Sequence, residues 1–389
     1  MSEYQILLLP KEGYWDWVAA ARDYVLKFGT NLTSDPDSAG RFMLPLQVVT
    51  IAGLPGGYPA QGDIQAWFTR AYPSARVDFV PARTPAEFAA ALAKRIQSGE
   101  RYAAAGPDFG RVWPAGRCLA GLHGRADGRL QDADFAVIAQ ARVEAVKLLS
   151  SAAPEDVDRL RAINPQMFIL VRLFADFRDR LVRAEDFATW LSYDMGQFYQ
   201  RGVRHFEIHN EVNLKLEGWG QSWRDGREFA QWWLTVRNRL KALYPEAKFG
   251  WPGLSPDGFP MPERTNDLRF LEEAQDALRA ADWIGLHCYW QTEAEMRTPA
   301  GGLGYLEYRR RFPEKLLFIT EFSNPAPGVD LRVKGEQYVK YYQLLRRVPG
   351  LGAAFAFVAS ASANFPHEAW RDEAGRATAI PAVVGQRAL

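Results

Sequence analysis

Beyond residue 117 the chain alternates short, almost wholly apolar runs with longer segments whose apolar positions recur every three to four residues. The runs are 118–124 (CLAGLHG), 143–149 (VEAVKLL), 166–174 (QMFILVRLF), 203–213 (VRHFEIHNEVN), 248–254 (KFGWPGL), 282–290 (DWIGLHCYW), 315–324 (KLLFITEFSN) and 352–360 (GAAFAFVAS). Short β-rich runs of this kind predict buried strands. The segments between them, such as DADFAVIAQAR, PEDVDRLRAI and GREFAQWWLTVRNRLKALYP, carry helical spacing and several open on Asp, Pro or Glu. Gly202 and Pro245 close two of them. Strands alternating with helices pair in parallel through right-handed crossovers, and eight units in roughly 270 residues match a (β/α)8, or TIM, barrel of α/β class. The rival, an open doubly wound sheet, would carry a G-x-G-x-x-G turn after its first strand. GLHGRADG lacks that spacing.

Residues 1–105 read differently. YQILLLP, RFMLPLQVVTI and ARVDFVP predict strands, 14–28, 61–71 and 85–98 predict helices, and NLTSDPDSAG and GLPGGYPAQG are turn-rich. The expectation is a small N-terminal α/β lobe without chemistry of its own. A Gly/Pro-rich linker over 106–117 would then lead to a catalytic barrel over 118–389.

Composition narrows the function classes. With 47 basic and 46 acidic residues there is no excess of charge to attract nucleic acid or an anionic membrane. Two cysteines, Cys118 and Cys288, fall in separate predicted strands and are not expected to form a disulfide. With five His they cannot build a zinc framework of recognisable spacing, so no metal or cofactor is expected. The opening MSEYQILLLPKEGYWDW has no basic region and too short an apolar run for a secretory signal, so the compartment is left open, with the cytoplasm expected unless an export signal has been removed. The 13 Trp, 15 Tyr and 23 Phe suit either core packing or a sugar-binding cleft. The partner expected is therefore a carbohydrate, and the oligomeric state is left open.

In a parallel barrel, chemistry sits where the strands end and the βα loops converge. The fourth run ends in Asn210-Glu211, the seventh in Glu321 and the sixth in His287 and Tyr289, while Lys147 and Arg172 interrupt apolar runs and His123 closes the first. Each alone has an ordinary structural explanation, since buried Lys and Arg often only neutralise a carboxylate. Their joint occurrence at one rim makes a site. Strand parity puts Glu207, His209 and Glu211 on one face. Either Glu207 is buried against Lys147 or Arg172, or a bulge near the strand end resets the phase.

These residues resemble the clan A glycoside hydrolases, the superfamily of cellulases, β-mannanases and β-xylosidases. Its members carry Asn-Glu after strand 4, a second Glu after strand 7 and often His-x-Tyr at strand 6, matched here by Asn210-Glu211, Glu321 and His287-Cys288-Tyr289. The resemblance covers about 118–385. It departs at Val212, where many members have Pro, and at strand 8, where Phe357, Phe365 and the later Trp370 stand in place of a strand-end Trp.

The resemblance implies cleavage of β-glycosidic bonds with retention, Glu211 as acid/base and Glu321 as nucleophile. Glu321 must then be ionised, with Arg172 and Tyr289 as candidate stabilisers, while Glu211 must start protonated and release its proton more readily once Glu321 carries the sugar. Asn210 suits the 2-hydroxyl of the reacting sugar. Trp219, Trp223, Trp251 and Trp290 are the candidate sugar platforms. The alternatives are a barrel that binds glycans without cleaving them and a metal-dependent barrel hydrolase. The latter would want His-x-His on the first strand, which offers only His123.

Overall fold

The computed structural model describes residues 5–39, 48–54, 57–72, 75–102, 109–177, 180–257, 263–361 and 365–388. Its contacts divide the chain into two compact units, Met1–Gly106 and Pro107–Leu389.

The first unit is a four-stranded parallel sheet in the order β2-β1-β3-β4, from β1 (Gln5–Leu8), β2 (Asn31–Thr33), β3 (Val48–Gly53) and β4 (Arg76–Pro81). Side chains alternate across it. Ile6, Leu8, Val49 and Ile51 pack with Phe68 on one face, and Leu7, Leu9, Ala52 and Val80 with Tyr24 and Phe88 on the other. The helix Pro85–Ser98 shows why these boundaries fall where they do. Thr84 accepts from the Glu87 amide at 3.2 Å, Glu87 accepts from the Arg83 amide at 2.6 Å, Pro85 opens the first turn, and Gly99 ends the helix in a left-handed conformation. The stretch expected to be only a turn-rich loop holds β2 and a short helix, Pro36–Ala39, because β2 finds an edge on β1 (Leu7 pairs with Leu32). Part of the strand expected over 41–51 lies outside the described residues.

The second unit is a closed eight-stranded parallel barrel. Its strands are β5 (Leu119–His123), β6 (Ala145–Leu149), β7 (Phe168–Leu173), β8 (His205–Ile208), β9 (Lys248–Trp251), β10 (Trp283–Tyr289), β11 (Leu317–Ser323) and β12 (Leu351–Ala356). Each falls within one of the eight apolar runs or overlaps it. Outward residues such as Val146, Val171, Phe206, Ile284 and Ile319 join the core shared with the surrounding helices. Inward residues fill the barrel in layers. Its floor is aromatic: Phe168 stacks on Phe318 at 5.5 Å and 19°, and Trp113 and Trp283 meet Phe318 edge-on at 5.2 and 4.9 Å. Trp113 comes from the stretch after the short helix Phe109–Val112. Glycine makes room for this floor, since a Cβ on Gly250 would lie 2.2 Å from the Trp283 ring. Cys118 and Cys288 are buried free thiols.

Candidate active site

Further along the same strands, towards their C-terminal ends, the inward layer becomes charged. Lys147 (β6), Arg172 (β7), Glu207 (β8) and Glu321 (β11) are all buried. Arg172 is the hub. Its Nε donates to Glu207 Oε2 at 2.7 Å, its Nη1 to Glu321 Oε1 at 2.7 Å, and its Nη2 lies 3.4 Å from His287 Nε2. Lys147 Nζ donates to Glu321 Oε1 at 3.0 Å and sits 3.7 Å from Glu207 Oε2. Two cations thus face two carboxylates, the balance that a dry interior requires. The Gly253 amide donates to the remaining oxygen of Glu207 at 3.2 Å.

Glu207 is therefore the buried carboxyl that parity suggested, held by both candidate partners. The phase is reset as well: His209 (φ 70°) and Glu211 (φ 35°) take left-handed backbone conformations just past β8. That turn sends the His209 ring outward, 4.3 Å from Phe177 among aromatic side chains, and brings Glu211 to the mouth. The Glu211 amide donates to the Gly253 carbonyl at 2.9 Å. Glu321 reaches the mouth by a different irregularity. Leu286 pairs with Ile319 but His287 pairs with Glu321, so β11 carries one extra residue there. This bulge turns inward a residue that strict alternation from Phe318 would point outward.

Glu211 and Glu321 converge on one atom. His287 Nδ1 lies 2.9 Å from Glu211 Oε1 and 3.8 Å from Glu321 Oε2. A guanidinium has only donors, so the contact from Arg172 makes Nε2 an acceptor and leaves the His287 proton on Nδ1, facing the carboxylates. A Cβ on Gly253 would come within 2.3 Å of the His287 ring, so glycine is needed there for the ring to sit where it does. Tyr289 donates to Glu321 Oε2 at 2.5 Å. His123 Nε2 lies 3.9 Å from Glu321 Oε1.

Electrostatics separates the carboxyls. Burial pushes Glu321 up, but the Nδ1–H that His287 turns towards it and the charges of Lys147 and Arg172 pull harder and hold it well below the usual carboxylate range. Burial and the neighbouring Glu321 and Glu211 raise the Tyr289 phenol well above its ordinary value, so it keeps its proton and donates. Lys147 is drawn down to about 8 by burial and by Arg172, against the pull of Glu321 and Glu207. Burial and Lys147 keep His123 well below its ordinary value and neutral.

A cavity of about 360 Å³ opens above these groups, lined by Glu211, Glu321, Asn210, Tyr289, His123 and Arg172 among others. Two carboxyls that the sequence did not single out join the lining, Glu217 and Glu368. They stand on loops, where no periodicity marks a residue as inward-facing. Asn210 Nδ2 donates to Glu217 Oε1 at 3.0 Å. Phe357 and Phe365, at the strand-8 end where the expected Trp is missing, line the cavity too and meet edge-on at 4.8 Å.

The tryptophan platforms are not there. Trp223, Trp251 and Trp290 are fully buried on the helix side of the barrel and offer no face to a ligand. Trp223 packs on Phe229 and Trp232, Trp251 on Phe229, and Trp290 stacks on Phe322 at 5.7 Å. Trp219 is half-buried against the same core with its indole N–H on the Arg224 carbonyl at 2.9 Å, and it does not line the cavity. Asn213 is a loop staple, exchanging hydrogen bonds with the Ser255 backbone at 2.9 Å.

No protein-family model matches the chain, and no curated protein matches it in sequence. Among solved structures it is similar to a GH128 (subgroup II) endo-beta-1,3-glucanase from Sorangium cellulosum. The identity is 18%, the alignment covers 70% of this chain and 99% of that one, and the TM-score is 0.52. A GH128 (subgroup II) endo-beta-1,3-glucanase from Pseudomonas viridiflava follows at 14% identity, 69% and 98% coverage and a TM-score of 0.49. What the likeness shows is the fold. The (β/α)8 barrel of this chain is one that glycoside hydrolases also use, and the chemistry has to be argued from its own residues.

Proposed function

We propose that the barrel is a retaining glycoside hydrolase that cleaves β-glycosidic bonds in an oligo- or polysaccharide, with Glu211 as acid/base and Glu321 as nucleophile. The observation that carries this reading is the approach of both carboxylates to His287 Nδ1, at 2.9 and 3.8 Å, beneath an open cleft. That keeps their nearest oxygens closer together than most of the roughly 6.5–9.5 Å range in which inverting enzymes seat a water.

The two carboxyls have different surroundings, as the two roles require. Glu321 is ionised and buried among donors. In the first step one of its oxygens bonds to the anomeric carbon as the C–O bond to the leaving group breaks, and the electron pair goes to that leaving oxygen. Glu211 passes its proton to the same oxygen. With Glu321 esterified its charge is gone, and Glu211 takes a proton from water. The resulting hydroxide attacks the anomeric carbon and the ester pair returns to Glu321. Tyr289 donates to Glu321 before and after the step, and Lys147 and Arg172 make Glu321 a good leaving group in the second. Asn210, at the cleft wall beside Glu211, is suited to the 2-hydroxyl.

The test is reducing-sugar release from β-1,3- and β-1,4-glucans, mannans, xylans and bacterial exopolysaccharides. β-1,3-Glucan is included because the Sorangium cellulosum protein is an endo-beta-1,3-glucanase. Wild type should turn over one of them and Glu321→Gln none. For Glu211→Ala, azide should restore cleavage of an activated aryl glycoside. Equal turnover by wild type and Glu321→Gln would remove the nucleophile assignment, and glycan binding without turnover in wild type would make the barrel a binding protein.

A further inference from the structure

We infer that the cleft selects a cationic amino sugar, a residue bearing a free ammonium group, and that Glu217 and Glu368 are the residues that select it. The inference rests on the glycosidase reading for the place of the sugar but draws on different residues.

Within the buried quartet the charges of Lys147 and Arg172 are matched by those of Glu207 and Glu321. Lys147 has no exposed surface, and the guanidinium of Arg172 is engaged by Glu207, Glu321 and His287. No Lys or Arg other than Arg172 lines the cavity among the described residues. Glu211, Glu217 and Glu368 are left over, so the walls carry three carboxyls without a matching cation above a neutralised base. Glu211 is assigned to the chemistry and the other two are not.

Glu217 follows β8 and Glu368 follows β12, the fourth and eighth strands of an eight-stranded barrel, so they reach the cleft from opposite sides. Glu217 spends one oxygen on Asn210 and makes no ion pair among the described residues. Glu368 is only 9% exposed, and its carboxyl has no hydrogen bond or ion pair among the described residues. The nearby Lys334 donates to the His367 carbonyl at 2.8 Å instead. A carboxyl at a cleft wall that no protein donor holds is open to a ligand ammonium. Burial pushes Glu217 up to about 8 against the Asn210 hydrogen bond, and Glu368 up to about 7 against Lys334, so near neutral pH both release a proton when a bound ammonium stabilises the ionised form. A uronic acid would meet three carboxyls and no free cation.

The experiment is ligand binding near neutral pH, by ligand-observed NMR titration of the full chain with D-glucosamine, D-glucose and D-glucuronate, which avoids any choice of linkage. Glucosamine should bind about tenfold tighter than glucose, and glucuronate should show no binding. The preference should shrink in 0.5 M salt, as screening of a partly exposed ion pair requires. Glu217→Gln and Glu368→Gln, both close in size to the native residue, should each reduce the glucosamine-to-glucose ratio, and the double variant should bring it to about one. Equal affinities in wild type, a preference that survives in the double variant, or no binding of any of the three overturns the inference. If glycosides are cleaved without ammonium preference, the inference fails alone. If glucosamine is preferred but no glycoside is cleaved, the glycosidase reading fails alone.

Discussion

The two ends of the barrel are built from the same strands and held by opposite physics. On β7, Phe168 belongs to the floor and Arg172 to the mouth, and on β10 Trp283 and His287 divide in the same way. The floor is stabilised by area: many weak contacts among aromatic rings, none of them decisive. The mouth depends on a few discrete contacts, each of which leaves a buried charge unpaired if lost. The dry floor serves the mouth, because excluding water beneath the quartet strengthens every attraction within it.

The sharpest way to break the comparison is at Glu321. Glu321→Gln should lower turnover by roughly 10⁴-fold or more. It should also cost about 3 kcal/mol in urea unfolding, because Lys147 and Arg172 then face a single carboxylate. Phe318→Ala, at the floor, should cost a similar or larger ~3–5 kcal/mol, while the folded fraction keeps its kcat to within about threefold. If both substitutions abolish activity in the folded state, the two ends are not separable.

Gly253→Ala tests the mouth without touching a charge. Displacing the His287 ring should lower kcat by about 10²-fold with little change in secondary structure by circular dichroism. A smaller effect is expected from pH. Glu321 and Glu207 are both held below the ordinary carboxylate range, so their contribution to stability is complete above the unfolded value of about 4.3 and is lost as pH falls through their folded values. The stability gap between wild type and Glu321→Gln should therefore close on acidification. A gap that stays constant down to pH 2 would contradict the ion-pair account. The smallest change is expected from Glu211→Gln, which removes no Lys or Arg partner and should alter stability by no more than about 0.5 kcal/mol while reducing turnover by about 10²–10⁴-fold.

The barrel was legible because continuous apolar runs are what a strand buried on both faces needs, and all eight are present. The rim positions of Glu211 and Glu321 were legible for the same reason, since a polar residue closing such a run has only the mouth to go to. How each carboxyl turns inward was not. A bulge in β11 and left-handed residues after β8 set it, and neither carries Gly or another local sign. The tryptophans misled because residue type says nothing about face: Trp251 and Trp290 lie on the outer side of the sheet, against helices. Glu217 and Glu368 escaped because loops have no period.

Gly253 has one further consequence. Its N–H holds Glu207 and its carbonyl holds the Glu211 backbone, while its bare Cα makes room for His287. One residue thus serves as a common datum for the buried ion network and for the proposed proton donor, like a dowel that aligns two machined parts. Loop exchange meant to retarget this barrel can vary the segment that carries Glu368 more readily than the one that carries Glu217, which also holds Asn210. The turn after β9 has almost no tolerance, and a graft that shifts it by a fraction of a bond length moves both parts at once.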